Sequence, residues 1–115
     1  MRTLNDYFIT GQIADISTAG STFVAVPDGG RIIKIMSVLG GAITSGNAAI
    51  TFEIGGTAVT GAGFTVAHSG SAVGTMDGST PTALNEVAED GSIEMITDGN
   101  SSGAKTLTVT FVIRR

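Results

Sequence analysis

The sequence predicts an all-β fold: one domain over residues 1–115, built as a β-sandwich or jelly-roll-like barrel with glycine-rich turns. Three observations carry that prediction. The chain holds 17 Gly, 16 Thr, 12 Ile and 9 Val against only 4 Leu, 4 Glu and 2 Lys. β-branched side chains lose rotamer freedom in helices and pack well on pleated surfaces, and glycines supply turns that need positive φ. Several segments alternate apolar and polar residues with period two, which places alternate side chains on opposite faces of a strand. Turn signals recur about every 8 to 12 residues, the spacing of sandwiches and barrels.

Taken in order, Tyr7–Ala14 and Thr22–Val26 are short strand candidates, and Pro27-Asp28-Gly29-Gly30 turns the chain into the next. Arg31–Leu39 is almost continuously apolar (Ile32, Ile33, Ile35, Met36, Val38, Leu39), as in a central strand covered on both faces, with the second cover assigned to another subunit. Gly40-Gly41 closes it. Ala49–Ile54 turns Ile50, Phe52 and Ile54 inward and Thr51 and Glu53 outward; Gly55-Gly56 then makes a hairpin with Thr57–Thr60. Phe64–Ala67, Val73–Met76 and Ser92–Thr97 are further strands, set off by Asp77-Gly78, Asp90-Gly91 and Asp98-Gly99 turns. Thr80–Glu89 reads as loop plus strand in preference to a short helix capped by Thr80-Pro81. The clearest strand is Lys105–Arg115, with Leu107, Val109, Phe111 and Ile113 facing in; with Ile33, Ile35, Ile50 and Phe52 they form the predicted core.

Composition narrows the function. A length of 115 residues suits one core that needs neither metal nor disulfide, and 42% apolar with 14% charged residues excludes a disordered tail. Six basic against ten acidic residues give a net charge of −4, whereas nucleic-acid binders present basic patches to phosphates. No nucleic-acid partner is expected. Without cysteine there is no thiol nucleophile or thiolate metal site. No apolar run approaches the 18 or so residues of a membrane helix, and the start lacks the apolar segment of a signal peptide. A complete soluble chain, made in a cytoplasm and without a membrane partner, is therefore expected.

The search for chemistry returns no candidate catalytic residue, cofactor or metal site. The single histidine, His68, lies in a Gly- and Ser-rich loop beside Ser69 and Ser71, with no G-x-S-x-G elbow around either serine. The Asp-Gly segments at 77, 90 and 98 offer oxygen ligands, but none follows the twelve-residue calcium loop and each reads as a turn. Glu86, Glu89, Asp90 and Glu94 fit an acidic solvated edge, with no pair singled out for general acid–base work. The Gly29-Gly30, Gly40-Gly41 and Gly55-Gly56 pairs lie between strands, whereas phosphate-binding glycine loops lead into a helix. Sugar-binding sandwiches stack rings on Trp or Tyr; here Tyr7 is the single residue of either type.

Charge is unevenly placed. All six basic residues fall in 2–34 and 105–115, and the seven acids between them leave the middle at −7. If both termini emerge at one end of the sandwich, that end is positive and the opposite loops are acidic. Against this background the runs Val26–Lys34, Ala48–Val59, Ile96–Gly103 and Thr108–Arg115 resemble small structural proteins of tailed bacteriophages, the capsid decoration or cement proteins. The resemblance spans most of the chain and rests on short runs and style. It implies a non-enzymatic virion protein that binds the outer surface of the major capsid protein shell as a homotrimer and stabilises the shell by mass action. Arg2, Tyr7, Arg114 and Arg115 are then the candidate capsid-contact residues. The alternative from another class is a sugar- or receptor-binding sandwich of a phage tail or cell surface.

Overall fold

The computed structural model describes residues 4–115. They form ten strands and no helix: β1 (Asp6–Ile13), β2 (Gly20–Val26), β3 (Gly30–Leu39), β4 (Ala48–Ile54), β5 (Thr57–Ala58), β6 (Phe64–Val66), β7 (Met76–Ser79), β8 (Glu86–Val87), β9 (Gly91–Thr97) and β10 (Leu107–Arg114). Among the described residues no helix is therefore long and apolar enough to cross a membrane.

All pairing is antiparallel, in two sheets. Sheet A runs β1-β10-β3-β7, with β8 also on β3; sheet B runs β2-β9-β4-β5, with β6 also on β4. Early strands pair with late ones, β1 with β10 and β2 with β9, and the resulting long hairpin rolls up so that β10 also pairs with β3 and β9 with β4. This is the order of a jelly roll. The sheets stack over a core that includes Phe52, Phe111, Ile35, Ile50, Ile93, Met95, Leu107, Val109 and Ile113. Phe52 and Phe111 come from opposite sheets and meet edge to face with centroids 5.6 Å apart, the favoured geometry for an aromatic pair.

The alternation of Leu107, Val109, Phe111 and Ile113 is realised, and the hairpin at Gly55-Gly56 forms with both glycines at positive φ. Three expectations are corrected. Ile33 is not in the core: Val112 faces Lys34 and Ile113 faces Ile32, so Ile33 is the unpaired residue of a β-bulge. The bulge breaks the period-two count, and Ile32 takes the buried place instead. Of the strand expected over Val73–Met76 only Met76 is in a strand, as the first residue of β7; Val73–Gly74 is a turn, closed by the Ala72 amide on the Thr75 hydroxyl and the Thr75 amide on the Ala72 carbonyl. Asp77-Gly78, in turn, lies inside β7, because a Cβ at Gly78 would stand 2.6 Å from the Ile35 carbonyl and only glycine lets the two strands approach. Thr80–Glu89 is loop with the short strand β8.

Two loop residues complete the core's ends. Ile16, between β1 and β2, is fully buried, and its carbonyl accepts a 2.9 Å hydrogen bond from the buried Thr97 hydroxyl. Asn85 is buried beside β3; its side-chain amide donates to the Ile32 carbonyl at 2.7 Å, and its own carbonyl accepts from the Ile32 amide at 2.9 Å. The Asn85 side chain thus satisfies the Ile32 carbonyl, and its main-chain carbonyl the Ile32 amide.

Candidate contact surfaces

Three of the four sequence-predicted contact residues lie together; Arg2 falls outside the described residues. β1 begins where β10 ends, so Asp6 faces Arg114 in register. The guanidinium grips the carboxylate through Nε at 2.8 Å and Nη2 at 3.0 Å, and the Asp6 side chain is only 1% exposed. Hydrogen bonding to Asp6 raises the Arg114 pKa above its ordinary value. Arg115 binds Asp28 at 2.6 Å, and its guanidinium stands 5.0 Å from the centre of the Tyr7 ring. The Tyr7 hydroxyl donates to the Gly29 carbonyl at 2.9 Å; burial, then the nearby Asp28 charge, push its pKa up. Tyr7 and Arg115 therefore clasp the start of β1 and the end of β10 to the Pro27–Gly30 turn, Arg114 ties β10 to β1, and both arginine charges are engaged within the molecule.

The expected polarity from end to end is not present. Glu86 faces Arg31 across the β3–β8 pairing, and Gly29 lies against the backbone of Ala88 and Glu89, so the acidic 86–90 segment shares an end with the termini. Charge is divided between faces instead. The outward row of sheet B carries Phe23, Glu94 and Glu53 side by side, the two glutamates directly opposite each other. Like charges so placed repel. The outward face of sheet A carries Phe8, Thr10 and Gln12 of β1, Thr110 and Thr108 of β10 with the buried Val112 between Phe8 and Lys34, Met36 and Val38 of β3 and Met76 of β7, aligned by register. Phe8 is 60% exposed, Met76 59% and Val38 41%. Its charged members cluster towards the terminal end, where Lys34 and Arg31 form no ion pair among the described residues and Arg114 holds Asp6. The sequence signal for this face was the doubly apolar run 31–39; its partners Phe8 and Met76 carried no signal, because which residues share a face follows from register.

The remaining candidates are occupied by structural duties. His68 is exposed, and its Nδ1 and amide both meet Asn47 Oδ1, at 2.8 and 3.1 Å. The Ser71 hydroxyl bonds the Ile43 and His68 carbonyls, so it staples two loops and makes no bond to the imidazole. Asp98 accepts the Ala49 and Asn100 amides, and Asp15 accepts from Ser17 and Thr18. The Ser17 hydroxyl and amide hold the Asp15 carboxyl below its ordinary range. Among the described residues no three His, Asp or Glu side chains converge as a metal ion requires.

Asp77 behaves oppositely: burial pushes its carboxyl above the ordinary 3.8. The folded state then holds the proton more tightly than the unfolded chain, so stability is full below 3.8 and falls as pH rises through the raised value. Asp77→Asn removes that penalty. The variant is expected to melt above the wild type at pH 7, with the gap closing as pH is lowered past the carboxylate range; a gap that is constant from pH 3 to 7 would rule this out.

Fold and surfaces together define a two-sheet antiparallel jelly-roll sandwich with one weakly charged, partly apolar face and one acidic face. Comparison with protein-family models, with curated proteins and with solved structures finds no match to this chain.

Proposed function

We propose that this chain is a capsid decoration protein, a non-enzymatic component of a phage virion that seats on the outer surface of the major capsid protein shell and cements it. The observation that carries the reading is the outer face of sheet A. It is a sheet surface of apolar side chains interleaved with threonines, with Lys34 and Arg31 free near one end, opposite an acidic face suited to solvent. Depletion of charge marks the cores of protein interfaces, and contiguous exposed apolar surface marks where they form. The jelly roll itself serves in both viral capsid and lectin domains, so it supports the reading only as analogy. Phe8 and Phe23 project from opposite faces, which provides no shared platform for a sugar ring.

Exposed ion pairs contribute about 0 to 1 kcal/mol each, so apolar and backbone contacts carry the affinity while Lys34 guides approach. Because Arg114 already holds the buried Asp6, Val38→Glu and Lys34→Glu probe the face more cleanly than changes at Arg114. With purified capsids, added protein is expected to raise the temperature at which shells rupture. Val38→Glu should weaken co-sedimentation at least about tenfold, since it forces a charge into a desolvated contact. Lys34→Glu should slow attachment chiefly at low salt. Decoration by Val38→Glu at wild-type level would overturn the assignment of this face.

A further inference from the structure

We infer that the side of the sandwich formed by β1 and β2 is a docking edge for a second copy of this chain, which extends the sheets with its own edge strands. Among the described residues β1 pairs in the sheet with β10 alone and β2 with β9 alone, so along Tyr7–Ile13 and Gly20–Val26 one row of backbone N–H and C=O groups has no strand partner. The strands are long, 8 and 7 residues. Natural sheets blunt such edges with charges, proline, bulges or very short strands. None of these devices is present: Tyr7–Ile13 and Gly20–Val26 contain no charged residue and no proline, and both ladders run without a register shift.

The opposite side shows the contrast. Its strands β5, β6, β7 and β8 have 2, 3, 4 and 2 residues, and Asp77, Pro81 and Glu86 lie along it. It is also laced shut: Thr60 and Ala83 form a bridge, the Thr82 amide donates to the Thr60 carbonyl at 2.9 Å, and the Ser79 hydroxyl donates to the Ala62 carbonyl. The fold protects one side and leaves the other as a template.

Three features select a second copy as the occupant. A single extended peptide covers one edge strand, whereas β1 and β2 are stacked at the edges of two packed sheets; a partner that satisfies both must itself present two stacked edges, as this chain does. The chain carries −4 overall, yet these strands are uncharged beyond the buried Asp6, so copies can meet there without like-charge repulsion. Strands of about 25 Å along a sandwich 20 Å thick offer about 500 Å² per copy, or about 1,000 Å² in total, the lower bound for a specific interface. Phe8 and Phe23, 60% and 64% exposed, flank this side on its two faces and add apolar area to it. The inference rests on the chain's own edges and not on the shell reading.

The test is light scattering and hydrogen exchange on the full purified chain. A mass that is a multiple of 11.5 kDa is expected, with amides along both β1 and β2 protected. Thr10→Lys with Ala25→Lys should return the mass to 11.5 kDa with an unchanged circular dichroism spectrum, while Thr65→Lys in β6 should leave assembly intact. The chain has no native cysteine, so oxidation of the double variant Ser21→Cys with Ala25→Cys, positions that face each other when β2 pairs antiparallel with its copy about Phe23, should give linked pairs free of background. A wild-type chain of 11.5 kDa at every concentration, with edge amides exchanging freely, overturns the inference; so does assembly that survives the double lysine variant. If the lysine variant fails to fold, wild-type exchange along the two strands decides. Shell binding by a monomeric variant would leave the proposed function standing, so the two readings fail separately.

Discussion

Phe111→Ala is expected to cost about 3 to 5 kcal/mol, the range for removing a fully buried aromatic ring. Phe111 is 0% exposed at the centre of β10, with β1 on one side and β3 on the other, and its ring meets Phe52 of sheet B edge to face. The loss is large because the cavity opens between two sheets held by their own ladders, which leaves little scope for collapse. Against a typical domain stability of about 5 to 15 kcal/mol, the variant should melt about 10 to 20 °C lower. Thr110→Ala, one residue away on the outer face, should cost under about 1 kcal/mol, losing mainly its hydroxyl contact with Thr10. Equal losses in chemical denaturation would show that the two faces of β10 are wrongly assigned.

Gly30→Ala should cost about 2 to 5 kcal/mol for a different reason. Gly30 opens β3 at φ 130°, and an added Cβ would stand 2.6 Å from the Arg114 carbonyl oxygen and 2.9 Å from Ile113 Cγ2. Backbone strain at positive φ contributes about 1 to 2 kcal/mol and overpacking about 1 to 3 more. Gly55→Ala serves as the comparison, since φ is 59° and nothing lies within 4 Å of its added Cβ. It should show the strain alone. If the two alanine variants denature at the same urea concentration, close packing at Gly30 is not what requires glycine.

The elements legible in the sequence were those governed by local rules. Leu107–Phe111 of β10 and Ala48–Phe52 of β4 alternate buried with less buried residues, and Gly55-Gly56 and Asp90 mark turns by their positive φ. What escaped was set by partners distant in the chain. Ile33 fits an inward position by counting, but the bulge opposite Val112 and Ile113 shifts the count. Gly78 reads as a turn until the Ile35 carbonyl is known to lie against it. Ile16 is buried because Lys105 and Thr97 bond the loop that carries it. At the candidate surfaces, the three described residues chosen from the termini do cluster, but Asp6 and Asp28 claim the arginines. The outer face of sheet A became visible only through the register of β1, β10, β3 and β7.

The pairing of β1 with β10 sets a timetable for synthesis. Asp6 bonds Arg114 and Tyr7 faces Ile113, partners more than a hundred positions apart, and β10 lies between β1 and β3. Sheet A therefore lacks an interior strand until residues 107–114 have left the ribosome, and β1 and β3 must wait with their hydrogen-bonding edges open. Closing loops of that length before any contact rewards them makes folding slow, and the waiting strands are the stage at which chains are most exposed to aggregation. Nascent chains released short of Thr106 are expected to be cleared by proteases or chaperones, so that what accumulates in the cell is the finished sandwich.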